Sequence, residues 1–139
     1  MEDKEYSIVE AEITVRPDDI DMNNHVHYSK YLDYLLTARY IQMEKDYKMS
    51  MEEFLERGMT WFAKSVTLNF KRALKLGDIA LVKAQIQEIH GAVVKINFWI
   101  YKKGSEKIYV DGSGEFTLLS ITSGRPLRIP EDVIEKYSI

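Results

Sequence analysis

Asp21, Asn23, His25 and Tyr28 fall within one run, Asp21-Met22-Asn23-Asn24-His25-Val26-His27-Tyr28. This stretch gathers a carboxylate, two amides and imidazole into a few positions. A carboxylate can attack a carbonyl carbon to form a mixed anhydride, or it can deprotonate a water. A neighbouring amide and imidazole can orient that water or the carboxylate. A helix starting just afterwards would add free N–H groups and a partial positive charge. Aimed at a thioester carbonyl, those N–H groups form an oxyanion hole. The same residue types also serve plain structure. Asp and Asn are common at turns and N-caps, and Asp19 and Asp21 suit the positive end of a helix. Spacing alone leaves both readings open.

The elements around the run decide what it can face. Val9, Ala11, Ile13 and Val15 alternate with Glu10, Glu12 and Thr14, which predicts a half-buried strand over 8–15. Arg16-Pro17-Asp18-Asp19 breaks it. From about Tyr28 to Tyr47, Tyr31, Leu32, Leu35 and Ala38 follow helical spacing. Tyr34, Leu36, Ile41 and Met43 widen the apolar surface, so this helix should be wrapped by other elements. Ser50-Met51-Glu52-Glu53 reads as a capping box opening a short second helix that stops at Gly58.

Alternation then predicts strands around Val66–Phe70, Val82–Ile86 and Val94–Tyr101. A last long strand begins at Ile108 and resumes at Phe116. Gly77-Asp78, His90-Gly91 and Lys103-Gly104-Ser105 supply turns. Gly112 and Gly114 suggest a bulge or a close backbone approach. The order is strand, long helix, short helix and about four meandering antiparallel strands. That is an α+β domain over 1–139, with the helix on one face of a curved sheet of about five strands. Trp99 and Tyr101 would lie on the other face, where they hint at a subunit interface.

Bulk properties narrow the class. A chain of 139 residues is expected to form one domain and bury about two-thirds of its unfolded surface. Its 45% hydrophobic and 29% charged residues suit a globular protein. A net charge of −3 gives no general attraction to nucleic acid or anionic membrane. There are no cysteines, which excludes a disulfide scaffold, thiolate zinc sites and a cysteine nucleophile. Three scattered histidines without ligand spacing argue against a metal. The charged start, Met1-Glu2-Asp3-Lys4-Glu5, lacks the apolar region of a secretory signal. No apolar run approaches the ~18–20 residues of a membrane span. A cytoplasmic location is therefore expected.

The run Arg16-Pro17-Asp18-Asp19-Ile20-Asp21-Met22-Asn23-Asn24-His25-Val26, with Tyr28 and Tyr31-Leu32 after it, resembles the hotdog-fold acyl thioesterases. It is similar to the 4-hydroxybenzoyl-CoA thioesterase type and closer to the plant acyl-ACP thioesterases, which carry an Asp-Met-Asn-x-His-Val segment before their long helix. Phe70-Lys71-Arg72 with Leu76-Gly77-Asp78 resembles that family's strand-turn-strand, and the element order is the hotdog order. The resemblance implies a single hotdog fold with catalysis by Asp21, supported by Asn23 and His25. Tyr28 falls where the benzoyl-CoA branch uses a backbone N–H. Asp19 matches the first acid of that branch's Asp-x-Asp pair, and a structural capping role suits it better. It further implies an acyl-CoA or acyl-ACP substrate in fatty acid metabolism, no separate cofactor, and a homodimer or homotetramer with its site at the subunit interface. Two departures stand out. Ala73 occupies the place of the acyl-ACP branch's glutamate, and that branch's further cysteine has no counterpart. The plant enzymes also carry two hotdog units, against one here.

Lys71 and Arg72, with Lys64 and Lys75, could meet the phosphates of CoA, or could simply be a solvated strand face. Trp61 and Phe62 precede the first long sheet strand, as core or as a wall of an acyl pocket. His90 and His27 suit a turn and an exposed helix start. A hotdog hydratase would carry Asp-x-Asn-Pro-x-His, but His25 is four positions after Asp21 and no proline follows Asn23. A non-catalytic acyl-CoA-binding module is the other alternative, although pure binding needs no carboxylate against a thioester.

Overall fold

The computed structural model describes residues 5–139, so the charged stretch 1–4 lies outside the described residues. The chain runs β1 (Ile8–Thr14), a 3-10 turn (Pro17–Asp19), α1 (Tyr28–Lys45), α2 (Met51–Glu56), β2 (Met59–Phe70), β3 (Ile79–His90), β4 (Val93–Lys102), β5 (Ile108–Ser120) and α3 (Glu131–Tyr137). All neighbouring strands are antiparallel, in the order β1-β3-β4-β5-β2. The fold is the α+β hotdog arrangement of five strands and a long helix.

Three details depart from the sequence expectation. The strands are not a simple meander, because β2 skips β3 and pairs with β5 at the far edge. Strand β2 starts at Met59, so Trp61 and Phe62 lie inside it rather than before it. Helix α3 was not anticipated, yet it buries Val133 and Tyr137. The ring of Tyr137 stacks on Trp61 with centroids 6.2 Å apart and meets Tyr47 at 4.7 Å. Arg57 grips Asp132 through two hydrogen bonds of 2.7 and 3.2 Å, holding α3 against α2.

Helix α1 buries Tyr31, Tyr34, Leu35, Ala38 and Met43 against the concave side of the sheet. That side carries Ala80, Val82, Ile86, Val94, Ile96, Phe98, Ile100 and Leu118, all buried. Gln42 is also buried, its amide reaching the carbonyls of Val9 (3.5 Å) and Val82 (3.4 Å). The Ser50 Oγ accepts from the Glu53 N–H at 3.2 Å, and Gly58 takes φ +76° just past α2. Both follow the capping expectation. On the convex side, Trp99 and Tyr101 are half-buried, and the Lys83 ammonium sits 4.8 Å from the Tyr101 ring.

The start of α1 is fixed by a buried carboxylate. Asp19 is 1% exposed, and its Oδ2 accepts from the Tyr34 hydroxyl (2.7 Å) and the Arg16 N–H (3.0 Å). Burial pushes this carboxyl up. Those two hydrogen bonds and the Arg16 guanidinium outweigh it, so Asp19 ends below its ordinary value. Tyr34→Phe removes one of the two donors and is expected to cost about 1–3 kcal/mol. Urea unfolding checks this, and the loss should be seen above the unfolded pKa of Asp19. Because the folded pKa is the lower one, the wild-type advantage then fades as pH falls through it.

Candidate active site

The run Asp21–His27 is a tight loop that leads into α1 at Tyr28 rather than the first turn of the helix. An isolated bridge joins Ile20 to Val26, with the Asp21 N–H donating to the His25 carbonyl at 2.8 Å. Asn24 makes the reversal with φ +59°, a left-handed conformation that asparagine tolerates better than most side chains. Its Oδ1 accepts from the Leu76 N–H at 3.1 Å. The Val26 N–H donates to the Leu74 carbonyl (2.9 Å), and the Leu74 N–H donates to the buried Tyr31 hydroxyl (2.9 Å). The loop is thus clamped to the connection between β2 and β3.

Asp21 sits at the mouth of this loop, exposed to solvent. Its Oδ1 accepts from the N–H groups of Asn23 (2.8 Å) and His25 (3.1 Å). The bonds from His25 and then Asn23 hold its carboxyl below the ordinary value, helped by the nearby imidazoles. Asp21 is therefore an anion at neutral pH. Its Oδ2 has no hydrogen bond among the described residues, so one oxygen is anchored and the other is available.

The N–H groups near the helix start are mostly in use. His25 donates to Asp21, Val26 to Leu74, and His27 to the Asp19 carbonyl at 2.9 Å. The N-cap of α1 is His27, whose Nδ1 accepts from the Ser29 N–H at 3.2 Å. Lys30 donates back to the His27 carbonyl at 2.9 Å. This leaves the Tyr28 N–H, at the first residue of α1, without an acceptor among the described residues. The sequence expectation of N–H groups spread from His25 to Tyr28 narrows to this single donor.

Asp21, His25 and Tyr28 line one cleft of about 480 Å³ with Lys71 and Arg72. Tyr31, Phe70 and Ala73 complete its floor, the Tyr28 and Phe70 rings meeting at 4.9 Å. Phe70 was not singled out as a site residue, and its position at the exposed end of β2 was the available signal. The Lys71 ammonium lies 3.6 Å from Asp111, and the Arg72 guanidinium donates to the Ile108 carbonyl at 3.1 Å. Both side chains remain largely exposed. Asn23 and Trp61 lie outside the cleft lining. The Asn23 amide is exposed, while Trp61 lines a separate cavity on α1 and β2.

Comparison with known proteins gives consistent matches along most of the chain. The family model described as the thioesterase-like superfamily matches residues 15–137. The long-chain acyl-CoA thioesterase FadM of Escherichia coli is 20% identical over 92% of this chain and 96% of its own length. The DHNA-CoA thioesterase of Staphylococcus aureus superposes with a TM-score of 0.83 at 19% identity, covering 96% of this chain and 89% of that one. A further Staphylococcus aureus protein, solved in complex with CoA, gives 0.84 at 18% identity, covering 94% and 82%.

Proposed function

This chain belongs to the thioesterase-like superfamily, and we propose that it hydrolyses an acyl-CoA or acyl-ACP thioester to a carboxylic acid and a thiol. The reading is carried by one observation: Asp21, its carboxylate anchored through one oxygen, lines the same cleft as Tyr28, whose N–H is unpaired among the described residues. In this scheme the thioester carbonyl oxygen accepts from the Tyr28 N–H. Asp21 takes a proton from water as the water oxygen bonds to the carbonyl carbon, or attacks that carbon itself. The negative charge that develops on the carbonyl oxygen is held by the Tyr28 N–H and the helix start. The C–S bond then breaks and the thiolate takes up a proton, from Asp21 on the base route or from solvent on the direct route, where water afterwards hydrolyses the mixed anhydride to the carboxylic acid and frees Asp21. His25, which lines the cleft beside the carboxylate, positions the water, while Asn23 supports Asp21 through its backbone N–H. Bound substrate displaces solvent from Asp21, which raises its low pKa and makes it a better base.

Lys71 and Arg72 stand at the cleft rim, where the phosphates of a CoA or phosphopantetheine carrier would meet them. The reading includes a homodimer or homotetramer. Strand β2 is a long edge strand whose outer side pairs with nothing among the described residues, and such edges invite a second strand. A second copy placed there would wall the open cleft. No helix among the described residues is long and apolar enough to cross a membrane, and a cytoplasmic role in fatty acid metabolism is part of the same proposal. The direct test offers purified protein a set of acyl-CoAs differing in chain length and follows free thiol. Turnover of at least one member is expected. A flat response across the set, with acyl-ACP also untouched, would sink the reading.

A further inference from the structure

Arg39 is a buried cation with no counter-charge among the described residues. It sits in the second half of α1, is 7% exposed, and its Nη2 has no hydrogen-bond partner. No ion pair is formed by it among the described residues. Its guanidinium lies over the rings of Phe116 (4.2 Å) and Trp61 (5.2 Å). Those faces attract a cation but do not satisfy its N–H donors. A buried charge without a counter-charge is costly and is retained only when something balances it.

Arg39 is among the residues lining a cavity of about 350 Å³ whose walls are otherwise largely apolar, including Leu36, Met43, Met51, Trp61 and Phe116. This cavity is related to the Asp21 cleft by the direction of two elements. Helix α1 presents Tyr28 to the cleft, and Leu36 and Arg39 to the cavity. Strand β2 presents Phe70 to the cleft, and Ala63 and Trp61 to the cavity. From the cleft to the cavity, Tyr28, Leu32, Leu36 and Tyr40 recur every fourth residue on one face of α1, the last three 37–42% exposed. From Tyr28 to Arg39 the helix rises about 16 Å. An apolar helix stripe therefore leads from the carboxylate to a pocket that ends on a lone cation.

Building on the thioesterase reading, we propose that this cavity receives the far end of the acyl group, and that Arg39 selects acyl chains ending in a carboxylate. The hydrocarbon would lie along Leu32 and Leu36, and the terminal carboxylate would supply the counter-charge that Arg39 lacks. In an apolar pocket without the arginine, the same carboxylate would be rejected.

Thiol release from dodecanoyl-CoA and from the CoA monothioester of dodecanedioic acid separates the possibilities. The wild type is expected to favour the diacid ester in kcat/KM by about tenfold or more, the size of a charge-assisted contact. Arg39→Met should reverse that ratio, while Arg39→Lys should keep part of it. Hydrolysis of both esters with a preference for the plain chain that Arg39→Met leaves unmoved would overturn the proposal and leave the thioesterase reading standing. So would a fall in melting temperature of Arg39→Met with no change in the ratio, which marks a purely structural residue or one balanced by a carboxylate of a second copy. If neither ester is hydrolysed, calorimetric titration decides. Tighter binding of the diacid ester that vanishes in Arg39→Met supports the proposal, and equal binding of the two esters overturns it.

Discussion

Asp21→Asn is expected to lower thioester hydrolysis by roughly 10²–10⁴-fold, the range associated with loss of a positioned base. The substitution is chosen for what it preserves. The amide oxygen can still accept from the N–H groups of Asn23 and His25, which now hold Oδ1 at 2.8 and 3.1 Å. The loop should keep its shape, since Asn24 and Val26 clamp it independently to Leu76 and Leu74. What disappears is the charge and the proton-accepting oxygen. An unchanged melting temperature with lost turnover would locate the defect in chemistry. Wild-type turnover in the variant would remove Asp21 from the mechanism and assign the chemistry to another group. The pH profile gives a second check. Since the His25 and Asn23 N–H groups hold the free-enzyme carboxyl below its ordinary value, kcat/KM should stay level as pH falls through the usual aspartate range. It should decline only below that. An acid limb at higher pH would mean that another group controls the rate.

The contrast between Asp19 and Asp21 shows what a single sequence carries. Both stand in the same acidic run, and composition treats them alike. Resemblance to the hotdog thioesterases separated them, giving Asp21 the chemistry and Asp19 a structural place. The fold adds the physical reason for the second: Tyr34, fifteen residues along the chain, turns inward on α1 and closes on Asp19. That contact is written in the helical period, but only once the helix is known to pack over the 3-10 turn.

Strand and helix positions were legible because alternation and 3.6-residue spacing are local. Strand order was not. The pairing of β2 with β5, rather than with its sequence neighbour β3, depends on how the sheet curls around α1. Helix α3 was missed although Pro130, two acids and the Val133–Tyr137 spacing are all present, because seven residues carry too little period to stand out. Arg39 was invisible for a different reason. In sequence it is an arginine in a mixed helix, and only the arrival of Trp61 from β2 and Phe116 from β5 encloses it.

Gly112→Ala is expected to destabilise the protein by about 3 kcal/mol or more, a large share of the 5–15 kcal/mol typical of a domain. The Gly112/Gly114 pair could have meant a bulge or a close approach, and the close approach is what occurs. The register shifts of the sheet fall elsewhere, at Ala63/Ser65 on β2, at Ile86/Glu88 on β3 and at Ile100/Tyr101 on β4, where β5 steps from Val110 to Ile108. A Cβ at Gly112 would stand 2.0 Å from the Thr67 carbonyl oxygen. That atom is backbone, held in register by β2, and cannot swing aside as a side-chain tip can. Relief requires β2 to move away from β5. Phe70, at the end of β2, would then withdraw from Tyr28 and Tyr31, whose rings it meets at 4.9 and 5.6 Å. The cleft should open as stability falls, so KM should rise in whatever fraction still folds. Gly114→Ala is the internal control. There the nearest atoms are ring edges of Phe116 (3.0 Å) and Phe98 (3.3 Å), and the Ser65 carbonyl oxygen is also at 3.3 Å. Rings can tilt by a few tenths of an ångström, so this variant should cost less, on the order of 1–2 kcal/mol. Urea midpoints for the two alanine variants, measured side by side, check the order. Equal losses would mean that β2 is free to shift, and that the edge strand does not hold Phe70 in place.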